Sequence, residues 1–186
     1  MVYLMKVVIV GDNNSGKEII IEKYVRKWRE ENYKLTYGAV LAFSEIHVNE
    51  QIVKFHFLQL AEKEENRMPL NLFYHGALGG IIIFDVTIPE TFANLEDWSK
   101  EIWENNGKGV IPLVIFGINT ENRDQSPNSV TKEEGMKMAS RISKKAKKEG
   151  YEIPYYEIST KVRKDIETGL EFLARAYLTV LDTLNT

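Results

Sequence analysis

Residues 3–18 read YLMKVVIVGDNNSGKE, and this stretch decides how the whole chain folds. Its apolar run at 7–10 is followed by a glycine and turn-forming residues, which predicts a buried strand. The loop GDNNSGK at 11–17 comes next, and an apolar run at 19–21 then begins a helical pattern. A strand, two glycines separated by four residues, a lysine and a helix in that order are typical of a phosphate-binding loop.

The physical basis of such a loop is that backbone N–H groups and the positive end of the following helix point at an anion. Lys17 adds a cation that reaches the outer phosphates. The next position holds Mg²⁺ through a Ser or Thr hydroxyl in this motif, but here it is Glu18. A carboxylate can ligate a hard cation, yet its negative charge also faces the phosphates. The predicted phosphate-binding residues of the loop are Asn14, Ser15, Gly16, Lys17 and Glu18.

The composition narrows the class of protein. A chain of 186 residues and 21.5 kDa fits one domain over 1–186 with one substantial core. The formal net charge of -3 argues against a nucleic-acid-binding protein, and no apolar run approaches the ~20 residues of a membrane span. Because the chain has no cysteine and Val2 follows Met1, no direct lipid anchor is expected. We expect a cytoplasmic protein.

Hydrophobic periodicity and turn signals predict alternating strands and helices. Strands are predicted at 7–10, at 39–48 and 52–60 as a hairpin, and at 79–86, 110–118 and 152–158. Helices are predicted at 17–30, 70–74, 92–105, 131–146 and 166–184, with a capping box at 131–134 and a polar loop at 119–128. This order predicts an α/β three-layer fold with five helices and a six-stranded, mostly parallel sheet that has one antiparallel edge hairpin. Ligands bind such a sheet at the carboxyl ends of its strands, where the phosphate-binding loop lies.

Beyond the loop, the chain resembles small GTPases of the Ras superfamily and is most similar to the Rab branch. The resemblance is carried by VVIVGDNNSGK at 7–17, TYG at 36–38, LNLFYHGALGGIIIFDVTIPETFANLEDW at 70–98 and EISTK at 157–161. It implies a P-loop G-domain with GTP or GDP as the candidate ligand. It also implies that Thr36 binds phosphate and metal, so Glu18 and Thr36 are the candidate Mg²⁺ ligands.

The metal-linked motif of the family, Asp-x-x-Gly-Gln, aligns with QLAEK at 59–63. Gln59 replaces the aspartate that supports Mg²⁺, and Glu62 replaces the glycine whose N–H contacts the γ-phosphate. Lys63 stands where a glutamine orients the attacking water. Phosphoryl transfer depends on positioning and charge neutralisation, so we expect weak Mg²⁺ binding and impaired hydrolysis. No residue is assigned as catalytic beyond Lys63 at the water-orienting position.

The guanine motif of the family, Asn-Lys-x-Asp, aligns with INTE at 118–121. Glu121 keeps a carboxylate for the guanine N1 and N2 hydrogens, on a longer side chain. Ile118 has no amide, although a one-residue shift of the loop would bring Asn119 to that place. The predicted guanine-binding residues, with the 159–161 loop included, are Asn119, Glu121, Ser159, Thr160 and Lys161.

These departures leave two hypotheses open. In the first, the chain is a pseudo-GTPase in signalling or trafficking that docks protein partners through residues 30–45 and 59–75. In the second, it is an atypical switch that binds GTP or GDP and hydrolyses GTP slowly. The phosphate-binding loop either holds a nucleotide or has a purely structural role.

Overall fold

The computed structural model describes residues 1–24, 39–60, 71–159 and 164–184. The strands are β1 (Val2–Val10), β2 (Ala39–Val48), β3 (Gln51–Leu60), β4 (Gly79–Asp85), β5 (Leu113–Ile118) and β6 (Tyr155–Ile158). They form one sheet in the order β2-β3-β1-β4-β5-β6. Only the β2–β3 hairpin is antiparallel among these described strand pairs, which confirms the predicted sheet.

The described ranges contain the helices α1 (Lys17–Tyr24), α2 (Asn71–Tyr74), α3 (Pro89–Ala93), α4 (Leu95–Asn105), α5 (Lys132–Ala146) and α6 (Lys164–Leu184). The predicted count of five helices is therefore wrong for the described residues, which hold six. The predicted helix at 92–105 is divided at Asn94, whose ψ of 8° departs from the helical value and separates α3 from α4. The predicted polar loop after β5 also contains a 3-10 helix, Thr120–Gln125.

The hydrophobic core lies in two halves, one on each face of the sheet, where the sequence predicted a single core. Side chains alternate along β1, so Met5, Val7 and Ile9 pack in one half with residues of α6. Val8 and Val10 pack in the other half with residues of α4 and α5. Burial on both faces explains why β4 is apolar almost throughout. Within the described ranges, we find no helix that is long and apolar enough to cross a bilayer.

A capping box fixes the start of α5, as the sequence predicted. The Thr131 hydroxyl accepts a hydrogen bond from the Glu134 N–H at 3.2 Å, and the Glu134 carboxylate accepts one from the Thr131 N–H at 2.8 Å. The Glu134 carboxylate also accepts a hydrogen bond from the Thr131 hydroxyl at 2.8 Å, and the bonds from the Thr131 N–H and hydroxyl, in that order, lower the pKa of Glu134. The contribution of these bonds to the free energy of unfolding is therefore complete above the ordinary pKa of a Glu carboxyl group. It is lost as the pH falls through the lowered pKa of Glu134 in the folded protein.

We expect Thr131→Ala to lower the free energy of unfolding by about 1 kcal/mol at neutral pH, because the N–H of Glu134 loses its acceptor. Thr131→Ser keeps a hydroxyl at the same place and should retain most of the stability. Thermal melts of the two variants beside the unaltered chain measure the difference. Equal losses in both variants would contradict a capping role for the hydroxyl.

Candidate functional site

Those residues of the predicted site that the structure describes lie at one edge of the sheet. β1 runs into the loop at 11–17, which we call the phosphate loop, and α1 follows it directly. β3 and β4 are both parallel to β1, and β5 and β6 continue the parallel part of the sheet. Their carboxyl ends therefore surround the phosphate loop, as in other open α/β sheets that bind ligands there.

The backbone of the phosphate loop is held in a shape that glycine and asparagine accommodate. Asn14 and Gly16 have φ values of 61° and 75°, in the left-handed region that most residues avoid. At Gly11, with a φ of 152°, a Cβ atom would lie 2.3 Å from the carbonyl oxygen of Ile83 in β4. The phosphate loop thus leaves β1 pressed against the neighbouring strand, which only a residue without a side chain permits.

Lys17 brings a cation into the phosphate loop. Its side chain is 4% exposed, and its ammonium group donates hydrogen bonds to the carbonyl oxygens of Gly11 at 2.7 Å and Asp12 at 2.9 Å. Burying a charge is costly unless hydrogen bonds compensate, and these two carbonyls supply part of that compensation. The contacts hold the ammonium group beside the backbone that is predicted to face phosphate.

Ser15 turns its side chain into the protein. The residue is fully buried, and its Oγ atom has no hydrogen-bond partner among the residues that the structure describes. Its N–H donates to the carbonyl oxygen of Asp12 at 3.1 Å. A phosphate-binding role for Ser15 would therefore depend on its backbone, and this role stays a prediction.

Glu18 and Gln59, the two replaced metal-linked residues, contact each other. The Gln59 carboxamide donates a hydrogen bond to a carboxylate oxygen of Glu18 at 3.3 Å. Gln59 is 8% exposed and pairs with Ile9 in the sheet, two residues before the phosphate loop. P-loop NTPases hold Mg²⁺ through a Ser or Thr hydroxyl and an aspartate at these places. Neither Glu18 nor Gln59 is one of these residue types, and the predicted weakening of Mg²⁺ binding stays a prediction.

The end of β5 connects the phosphate loop to the predicted guanine side of the site. Ile118 packs so closely on Gly16 that a Cβ atom on the glycine would lie 2.1 Å from its Cδ1 atom. Asn119, with a φ of 67°, donates through its side-chain amide to Asp85 at 3.1 Å and accepts from Asn122 at 2.6 Å. Its amide is thus engaged at the end of β4. The contact between Asn119 and Asp85 was not predicted from the sequence. An Asn directly after a strand, where its side chain often forms hydrogen bonds, was the signal that could have indicated it.

The other predicted guanine-binding residues are placed as follows. Glu121 lies in the first turn of the 3-10 helix after β5. Ser159 follows directly on β6, beside Asn119, because Ile118 pairs with Ile158 across the sheet. Thr36, Lys63, Thr160 and Lys161 lie outside the described residues, as does much of the predicted surfaces 30–45 and 59–75. Their assigned roles stay predictions.

A cavity of about 620 Å³ opens between the phosphate loop and helices α3 and α4. The carboxyl groups that line it belong to Asp12, Glu90, Asp97 and Glu101. Asp12 accepts hydrogen bonds from the Trp98 indole N–H and from the Asn94 amide, both at 2.6 Å. These bonds tie the phosphate loop to α4. Because carboxylates repel phosphate, the cavity is not the expected place for the phosphates.

Comparisons with known proteins agree with this architecture. A model described as the Ras family matches residues 6–179. The chain is similar to Ras-related protein RABA1f of Arabidopsis thaliana, with 33% identity over 113 residues that cover 61% of this chain and 52% of the plant protein. It is also similar to Ras-related protein Rab7 of Drosophila melanogaster, with 29% identity over 177 residues that cover 92% and 79% of the two chains. The match spans about half the length of the plant relative.

Proposed function

The chain belongs to the Ras family of small GTPases, with Rab proteins among its relatives. From this premise we propose that it is a G-domain with impaired GTP hydrolysis and that it acts as a regulatory protein-binding module. Proteins of this family bind guanine nucleotides with Mg²⁺ and contact protein partners through their switch regions. The single observation that carries the proposal is the Glu18–Gln59 hydrogen bond, which joins the two positions that serve the metal in this reaction class.

Nucleotide binding is supported by the phosphate loop. Lys17 and the start of α1 provide positive charge at the carboxyl edge of the sheet, and Gly11 and Gly16 allow the close packing and the positive φ values that shape the loop. The candidate ligand is GTP or GDP, held chiefly through its phosphates. Guanine contacts from Asn119, Glu121 and Ser159 remain part of the proposal.

Impaired hydrolysis follows from what the site lacks. A positioned water and Mg²⁺ supply most of the catalysis in this class, and Lys63 takes the place of the water-orienting glutamine. Glu18 and Gln59 replace the hydroxyl and the aspartate near the metal, so we propose that Mg²⁺ support is weakened as well. An arginine supplied by a partner would neutralise charge but would not rebuild the metal position.

Docking of protein partners is supported by the described parts of the two proposed surfaces. β2 is the terminal strand of the sheet, so its outer edge can accept a strand from a partner. In α2, Leu72 is 60% exposed, so its apolar side chain is available for a contact with a protein partner. We propose a cytoplasmic role in signalling or trafficking, with recruitment to membranes through a partner.

The second candidate function is an atypical switch that binds GTP or GDP and hydrolyses GTP slowly. The contacts that hold the buried Lys17 ammonium group in the phosphate loop support nucleotide binding, which this candidate requires and the first candidate shares. The two candidates differ in turnover, which a direct measurement separates.

Phosphate release from GTP under single-turnover conditions tests the proposal. We expect no release above the background hydrolysis of GTP, and we expect Lys63→Gln alone to leave the rate unchanged because Glu18 and Gln59 still occupy the metal positions. The triple variant Glu18→Ser, Gln59→Asp, Lys63→Gln should gain measurable release, on the order of tenfold or more, by regaining the metal and the water position. Ready release by the unaltered chain, abolished by Lys63→Ala, would favour the switch instead.

A further inference from the structure

We propose that the Glu18–Gln59 hydrogen bond takes the place of Mg²⁺, so that the site binds a nucleoside diphosphate without a divalent cation and discriminates against the triphosphate. The inference rests on the proposed function, in which the phosphate loop binds a nucleotide. The members of this reaction class that depend on Mg²⁺ bind their nucleotide together with the metal ion, whereas we infer that this chain binds a diphosphate without it.

The contact between the two side chains removes the need for a metal ion. A hydroxyl and an aspartate at these positions would present oxygen atoms only as acceptors to a metal, and a cation would join them. In this chain the Gln59 carboxamide offers N–H donors, and one of them binds a Glu18 oxygen at 3.3 Å. Gln59 is 8% exposed and belongs to β3, whereas Glu18 is exposed at the start of α1, so the bond lies at the boundary between the protein and solvent. The pair links α1 to β3 without an ion.

The charges around the phosphate loop then favour the smaller anion. Lys17 contributes one positive charge and Glu18, the next residue, contributes one negative charge. Backbone N–H groups and the start of α1 still attract the inner phosphates. A γ-phosphate adds negative charge where the motif would place Mg²⁺, beside the Glu18 carboxylate. Glu18 is exposed, so water screens part of the repulsion between these like charges, but the repulsion still disfavours the triphosphate. The diphosphate avoids that repulsion.

The acidic cavity on the other side of the phosphate loop does not offset this effect. Asp12, which faces it, is engaged by Trp98 and Asn94, and the remaining lining carboxylates belong to α3 and α4. Their sign adds to the repulsion of a larger anion. The carboxylate of Glu18 and the carboxylates of the cavity therefore both disfavour the triphosphate relative to the diphosphate.

The test is calorimetric titration of the full chain, stripped of nucleotide, with GDP and with GTP, each in excess MgCl₂ and in excess EDTA. We expect the GDP dissociation constant to change by less than about threefold between the two conditions, and GTP to bind roughly tenfold or more weakly than GDP. A GDP affinity that rises more than about tenfold with MgCl₂, or equal affinities for GDP and GTP, would overturn the inference.

Two variants separate the charge of Glu18 from its hydrogen bond. Glu18→Gln retains an acceptor for Gln59 and removes the charge, so binding should stay independent of MgCl₂ while the discrimination against GTP is lost. Glu18→Ser with Gln59→Asp rebuilds the metal pair, so binding of both nucleotides should become dependent on MgCl₂. Glu50→Gln, an exposed substitution in the turn between β2 and β3, changes the net charge equally and should alter neither property.

The outcomes distinguish this inference from the function on which it rests. Absence of binding by the unaltered chain with either nucleotide would overturn both. Binding of GDP only with MgCl₂ would overturn the inference and leave the nucleotide-binding function intact. If a variant fails to fold in a circular dichroism melt, the four titrations of the unaltered chain still decide between these results.

Discussion

Replacing Gly11 by alanine is expected to lower the free energy of unfolding by about 3 kcal/mol or to prevent folding, since backbone strain and overpacking each cost of the order of 1–3 kcal/mol. The new Cβ atom would lie 2.3 Å from the carbonyl oxygen of Ile83 and 2.6 Å from the Ser15 Oγ atom. Ile83 lies within β4 and pairs with Phe116 of β5, so its carbonyl group cannot move without disturbing the centre of the sheet. Urea denaturation followed by circular dichroism measures the loss.

Gly109→Ala is the matched control for this substitution. Gly109 has a φ of 81°, and a Cβ atom on it would meet nothing within 4 Å. The variant therefore carries the backbone strain of a positive φ without the collision, and we expect a loss of about 1 kcal/mol. Similar losses at both positions would show that strain alone sets the cost and that the contact between the phosphate loop and β4 is loose.

Replacing Lys17 by methionine is expected to weaken GDP binding by about 10- to 100-fold. This range corresponds to the loss of one hydrogen bond to a charged group, which contributes about 1.5–3 kcal/mol. Methionine keeps an apolar stem of similar length, so we expect the fold to be retained. The ammonium group, which lies 2.7 Å from the Gly11 carbonyl oxygen and 2.9 Å from that of Asp12, is the part removed. Calorimetric titration with GDP in EDTA measures the change without interference from Mg²⁺.

Lys6→Met provides the control for the loss of a lysine. Lys6 lies in β1, the strand that leads into the phosphate loop, and its ammonium group donates to the carbonyl oxygen of His75 at 2.6 Å. We expect its GDP affinity to equal that of the unaltered chain. If Lys17→Met also binds GDP with unchanged affinity, the nucleotide does not bind at the phosphate loop and the site assignment is wrong.

The elements that could be predicted are those whose signals are local. The order of strand, loop and helix around residues 11–17, the apolar strand β4 and the capping box at Thr131 each depend on residues close in the sequence, and each was predicted and found. The division of a helix at Asn94 was not predicted, because the apolar spacing of 92–103 continues across it and the backbone change lies in one residue.

The contacts that define the candidate site could not be predicted, because they join residues far apart in the chain. Glu18 and Gln59 are 41 positions apart, and Asp12 and Trp98 are 86 apart. In the sequence, Glu18 and Gln59 are two separate departures from motifs of the family, and no local pattern links them. Only the pairing of β3 with β1 brings Gln59 to the start of α1, so the compensation between them is a property of the fold.

Because Trp98 donates a hydrogen bond to Asp12, its fluorescence can report on changes in the phosphate loop. Indole fluorescence depends on the charge and hydrogen bonding at its N–H group, and here that group is bonded to a residue of the phosphate loop itself. Trp103, on the same helix, donates to the carbonyl oxygen of Ile111 in the core, and the third tryptophan, Trp28, can be replaced by phenylalanine to remove its emission. A ligand that rearranges the phosphate loop should therefore change the emission of Trp98, so binding can be followed in real time without an attached dye.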